Sequence, residues 1–264
     1  MSLQLEAIGV LSTLQLKVLL PTVLTVVCAS FTLAADPPRP APIPVLKLKQ
    51  THYYWGESEV YISMDGIRID NRGRMHFSLV AAKPNWDVTI YRTDDKTCVH
   101  ESLEEFKATG VVSDFLVKRH AKLFLTRAQK KESIKIFSLD GRRCTNAGEL
   151  YEYIPLGKLA APEAEDILYT VYKIATNNGI PTRFIKKLKG VDWLSGVNGD
   201  GSVKVYITTQ SIESKMISPD LFLPPKGYRT AKSVQEVLLS KDNRDASGDL
   251  DEFFDSGKAK PKHQ

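Results

Sequence analysis

The chain has 264 residues, 42% of them hydrophobic and 25% charged, and a formal net charge of +5. That balance excludes a wholly disordered chain, and bases spread along the length argue against nucleic acid, which calls for a concentrated patch interleaved with aromatics. Contact with an anionic surface stays open, and the length suits one large β-rich domain or one domain plus tails.

Residues 18–31 (VLLPTVLTVVCASF) carry no charge, continue through TLAA to Ala35, and stop at Asp36-Pro37-Pro38. A single Lys17 before an apolar run, and small Ala34 and Ala35 before a proline pair, predict a signal peptide over 1–35. The expected location is therefore periplasmic or secreted. An uncleaved anchor is the alternative, because the run is near the lower limit for spanning about 30 Å of hydrocarbon. A lipidated Cys28 is a third option, but Thr25-Val26-Val27 lacks the small residues such processing needs. Membrane contact is expected to be peripheral or through an uncleaved N-terminal segment.

Residues 36–45, opening DPPRPAPIP, read as an extended proline-rich linker. The folded body is expected over 46–240. From 241 to 264 the chain is charged and poor in aliphatics, the composition of a disordered tail.

Within the body, β signals dominate. Glu59–Ile69 alternates around Asp65-Gly66, a dipeptide that favours a tight hairpin. Met75–Ala81 and Trp86–Arg92 alternate again, giving three short-turned strands of an antiparallel meander. Ser102 with Glu105 three residues on forms a capping box for a short helix that Gly110 ends. Residues 112–137 fit a helix or a hairpin equally. Pro162–Thr176 is the strongest helix: proline and acids fill its first turn, apolar residues make one stripe, and Asn177-Asn178-Gly179 stops it. Strands return at Arg183–Leu188, Trp193–Gly196 and Ser202–Thr209, with Asn198–Gly201 as a turn; Ser233–Ser240 is a further short helix.

Cleavage after residue 35 leaves Cys98 and Cys144. In an oxidising compartment they are expected to bridge, worth about 4 kcal/mol in the chain-entropy model; two buried thiols are the alternative. Of the five histidines no two share the i, i+4 spacing of a helical metal pair, and no nucleophile elbow, phosphate loop or dinucleotide fingerprint occurs. His100-Glu101 beside Asp94-Asp95 reads as solvated charge in a turn. Asn243, Asp245, Ser247 and Gly248 imitate a calcium loop, but Phe254 stands where its bidentate Glu belongs. The expectation is a protein that is not an enzyme and needs no metal or cofactor.

The aromatics point elsewhere. Tyr53, Tyr54, Trp55, Tyr61, Phe77, Trp86 and Tyr91 crowd the first meander, while one convincing long helix is available to cover the sheet. A broad sheet short of helices closes on itself, dimerises, or leaves an apolar groove.

The segments YIS-x-DGIRI (Tyr61–Ile69), KPNWDVTIYR (Lys83–Arg92), SLEEF (Ser102–Phe106), GIPTRFIKK (Gly179–Lys187) and ISPDLFLPPKGYR (Ile217–Arg229) carry a resemblance. In this order they resemble exported bacterial proteins related to the lipoprotein carriers LolA and LolB, with Phe222, Pro225, Gly227 and Tyr228 as the most distinctive element. The resemblance implies an α+β fold: a curved antiparallel half-barrel lidded by a few helices, its cavity holding acyl chains. The expected lining is Trp55, Tyr61, Ile67, Phe77, Leu79, Trp86, Ile90, Leu168 and Val171. The expected partner is a lipid or lipoprotein acyl chain. The alternative is a solid structural or adaptor protein of the cell envelope, meeting an envelope protein through its basic face.

Overall fold

The computed structural model describes residues 40–73, 75–111, 130–191 and 198–238. The expected signal peptide, the expected tail with its calcium-like run, and the Trp193–Gly196 strand lie outside the described residues.

Twelve strands, β1 (Ile43–His52), β2 (Gly56–Ile62), β3 (Gly66–Asn71), β4 (Ser78–Ala82), β5 (Val88–Arg92), β6 (Thr97–Glu101), β7 (Lys130–Ile136), β8 (Leu139–Asn146), β9 (Glu149–Pro155), β10 (Gly179–Val191), β11 (Asn198–Ile217) and β12 (Arg229–Thr230), form a single sheet among the described residues. Its order is β12-β6-β5-β4-β3-β2-β1-β11-β10-β9-β8-β7, curved and unclosed. Every pairing is antiparallel except β12 with β6, so the sheet is mixed at that one edge rather than wholly antiparallel. Three short helices, α1 (Leu103–Thr109), α2 (Pro162–Tyr172) and α3 (Val234–Leu238), accompany it, and with so little helix the α+β label describes it only roughly.

The meander follows from local chemistry. Ser63 Oγ accepts from the Asp65 and Gly66 N–H groups, closing the β2–β3 turn where the Asp-Gly pair predicts it. Because strand side chains alternate, Val60, Ile62, Ile67, Ile69, Leu79 and Ile90 share the inner face, buried against α2 in one cluster. Lys47, Glu59, Tyr61, Arg68, Asp70, Ser78, Thr89 and Tyr91 hold the outer face through the cross-strand register. Burying the inner side chains contributes roughly 1.5–3 kcal/mol each.

Several boundaries differ from the sequence expectation. β1 begins at Ile43, inside the expected linker, and Pro44 pairs with Met216. α2 ends at Tyr172 rather than Thr176, because Lys173 turns left-handed (φ 54°). The buried Glu165 carboxylate then collects the Thr176 hydroxyl and the Asn178 N–H, holding the next residues off the helical path. Asn198–Gly201 is not a turn but the start of β11, paired with β10. The register shifts opposite Lys187–Lys189, and Gly201 takes φ +85°, which a glycine bulge requires. Residues 130–137, left between helix and hairpin, resolve as β7 running into β8.

After β11 the chain crosses to the outer face. A 3-10 turn (Pro219–Phe222) packs on β3 and β4, and Tyr228 covers Val80, Tyr91 and Cys98. Phe222 lies so close to Gly66 that an added Cβ would stand 2.6 Å from its ring. Gly66→Ala is therefore expected to cost about 1–3 kcal/mol by overpacking, read as a lower urea midpoint, and Phe222→Ala in the same chain should recover part of the loss.

The expected bridge is absent. Cys98 and Cys144 are both free and buried. They belong to β6 and β8, which stand near opposite ends of the strand order, out of reach of the short span a disulfide requires.

Candidate inner-face binding site

Eight of the nine expected lining residues meet on the inner face. Trp55, Ile67, Phe77, Leu79, Trp86, Ile90, Leu168 and Val171 belong to one buried cluster, with Leu168 and Val171 contributed by α2. Tyr61 does not join them. It lies one register step away on the outer face, where its hydroxyl donates to Glu59 (3.1 Å) and Lys47 stands 5.3 Å over its ring. The period of two along β2 places Val60 and Ile62 inward and so turns Tyr61 out.

One contact fastens α2 to the sheet. Trp55 Nε1 donates to the Val171 carbonyl (3.0 Å), and its ring meets Phe77 edge-on at 5.9 Å. Next to it lies a polar inclusion that sequence reading missed. Tyr172 donates to Gln50 Oε1 (3.0 Å), and Gln50 Nε2 donates to the Pro181 carbonyl (2.8 Å) and Thr209 (3.0 Å). His52 stacks on Tyr172 with ring centres 5.1 Å apart. Its Nδ1 faces the Tyr54 and Trp55 N–H groups, so the ring proton belongs on Nε2. Burial drives the His52 pKa down to about 3, against the pull of the Tyr172 carbonyl, and raises the Tyr172 hydroxyl far above its ordinary range. The signal was available: Gln50 and His52 alternate with Leu46 and Leu48, which places all four on one face once β1 is read as a strand.

The same interior holds Tyr151, whose fully buried hydroxyl has no hydrogen-bond partner among the described residues and whose pKa burial pushes well up. An unmatched phenol in an apolar enclosure costs about 1–3 kcal/mol.

The outer face has different chemistry. A cleft of about 310 Å³ is lined by Arg68, Asp70, Arg72, His76, Ser78 and Asp94, among others. Arg68 pairs with Asp70 within it (2.8 Å), while Arg72 and Asp94 pair with Glu59 (3.1 Å) and Arg92 outside its lining. It is polar and lies across the sheet from the apolar lining.

The histidine and acid run separates in space. His100 Nδ1 lies 2.8 Å from the Thr89 hydroxyl, and its Nε2 lies 3.5 Å from Cys98 Sγ. Glu101 accepts from Thr109, Asp94 pairs with Arg92, and Asp95 caps Thr97. The Cys98–His100 contact has the order of a nucleophile and its base. Burial raises the thiol pKa, however, and so disfavours the thiolate that nucleophilic chemistry needs. No group of three or more His, Cys, Asp or Glu placed to hold a metal occurs among the described residues. No helix among them is long and apolar enough to cross a membrane.

No protein-family model and no curated protein matches the chain. Among solved structures it is similar to a LolA superfamily protein from Nitrosomonas europaea, over 71% of this chain and 91% of that one, at 9% identity and a TM-score of 0.22. The open half-barrel itself stands on this chain's own strand order and on the segregation of its two faces.

Proposed function

We propose that this protein is an exported, non-catalytic binding protein of the carrier type, holding an acyl chain or similar apolar group between the inner face of its half-barrel and α2. One observation carries the reading: the apolar face of the sheet is gathered beneath a single eleven-residue helix, α2, pinned near its end by the Trp55–Val171 hydrogen bond. An acyl chain entering there gains about 0.8 kcal/mol for each methylene buried. The unmatched Tyr151 hydroxyl supplies one polar contact for a head group. Export rests on the uncharged run before Asp36.

The lining side chains touch one another, so cargo enters only as α2 lifts. That same contact favours the second reading, a solid structural or adaptor protein of the envelope.

Native mass spectrometry of protein purified from an exporting host decides between them. The carrier reading expects co-purified lipid and a higher melting temperature with added palmitate. Repeated preparations without lipid, and no thermal shift with palmitate, would leave the adaptor.

A further inference from the structure

The β10–β11 pair runs past both of its neighbours. β9 accompanies β10 only as far as Lys186, and β1 leaves β11 at Ile207. Beyond those points, among the described residues, only turn residues still bond to the pair, Lys187 N–H donating to the Gly148 carbonyl and the Tyr206 carbonyl accepting from Tyr53 N–H, with Lys187 opposite Val203 and Lys189 opposite Asp200.

Register assigns this ribbon two unlike faces. Val205 stands opposite Ile185, and Ile185 opposite Leu150, while Val203 stands opposite Lys187. These four aliphatic side chains therefore share the outer face. Val203 is 65% exposed and Val205 45%, two aliphatic side chains displayed in succession on one face of the strand. On the opposite face Lys204 is drawn over the rings of Tyr53 (3.8 Å) and Tyr206 (5.4 Å). Exposed Arg183 and Lys187 frame the aliphatic patch. Over residues 183–205 the sequence carries Arg183, Lys186, Lys187, Lys189 and Lys204 against Asp192 and Asp200.

We propose that this ribbon is a peripheral docking site for an anionic lipid surface, with Val203 and Val205 entering the head-group boundary while Arg183 and Lys187 meet lipid phosphates. Two features favour lipid over a protein partner. The patch is far smaller than the roughly 800 Å² per partner of a stable protein interface. It also presents aliphatic side chains rather than the aromatic anchors that dominate such interfaces. The patch lies where the flanking strands end, and the exposed Arg183 and Lys187 beside it are complementary to an anionic leaflet.

The inference goes beyond cargo binding and stands on the ribbon alone. The test is co-sedimentation of the full chain with vesicles of phosphatidylcholine, alone or mixed with phosphatidylglycerol. The wild-type chain should prefer the mixed vesicles and lose that preference at high salt. The double substitution Val203→Asp, Val205→Asp should weaken partitioning about tenfold or more, and Lys187→Glu should weaken it less and flatten the salt dependence. Met216→Asp, at an equally exposed apolar position outside the ribbon, should leave binding unchanged. Since every variant retains residues 18–31, differences among them report the ribbon. Circular dichroism and melting temperature show whether each variant is folded.

Equal partitioning of the wild-type and doubly substituted chains would overturn the proposal. So would a wild-type dimer that the double substitution converts to a monomer without affecting vesicle binding, which would assign the patch to a second copy of the chain. Palmitate binding is measured on the same proteins: a variant that loses vesicles but keeps palmitate separates docking from carriage, and loss of palmitate alone counts against carriage only.

Discussion

Trp55→Ala is expected to lower the unfolding free energy by about 3–5 kcal/mol, the range for deleting a large buried aromatic. The indole is 5% exposed, sits in the turn after β1, and touches both Phe77 and the backbone of α2. Its removal opens a cavity and strips the Val171 carbonyl of its donor. Trp55→Phe keeps most of the ring contact and loses the hydrogen bond, so it should cost about 1–2 kcal/mol. Urea titration followed by circular dichroism measures both. The alanine variant should also loosen α2, and if the carrier reading holds, palmitate on-rates should rise even as stability falls. An alanine variant with an unchanged midpoint would mean that this contact does not secure the helix.

The second large effect concerns acid. His52 is neutral in the folded protein, with a pKa near 3, and titrates near 6.5 when unfolded. Between those values the unfolded chain binds a proton that the folded chain refuses. Stability is therefore fully present above about pH 6.5 and falls as pH drops toward 3, by about 1.4 kcal/mol per pH unit inside the window. Aromatic and amide neighbours, Tyr54, Trp55, Tyr172 and Gln50, surround the ring and offer no carboxylate to rescue its charged form. His52→Phe should flatten the stability profile between pH 6.5 and 5 relative to wild type, whatever its cost at neutral pH. Parallel profiles for the two proteins would show that His52 is solvated in solution. If the carrier reading holds, the same acid sensitivity loosens the grip of α2, since His52 stacks on its last residue.

Much of the half-barrel was legible because its central strands obey a strict period of two and their turns carry strong local chemistry. The Asp65-Gly66 hairpin and the Ser102–Glu105 capping box are set within a few residues, and both occur as read. The inner lining followed from the same alternation, with Tyr61 misplaced because its aromatic character outweighed its phase between Val60 and Ile62. What escaped had a distant cause. β1 was hidden by Pro44, which an edge-like start tolerates. β6 and β8 (Thr97–Glu101 and Leu139–Asn146) are the exception: they pair with strands next to them in the chain, but TCVHE and LDGRRCTN carry no apolar alternation to reveal them. The shortened end of α2 depends on Glu165 reaching Thr176 and Asn178, a contact with no periodic signature. The polar inclusion of Gln50, His52 and Tyr172 was half legible: alternation along β1 puts Gln50 and His52 on the inner face, but only packing brings Tyr172 of α2 to them. The cysteine bridge failed because counting thiols says nothing about their separation.

The position of β1 has a consequence for how the molecule is made. This earliest of the described strands sits mid-sheet, with Ile43 opposite Ile217 of β11. A ribosome must therefore deliver nearly the whole chain before that seam can zip up, and the emerging half keeps a bare backbone edge beside Leu46 and Leu48 throughout. Such a nascent chain is slow to commit and prone to sticking, which suits hand-over in an unfolded state and assembly only after synthesis has finished.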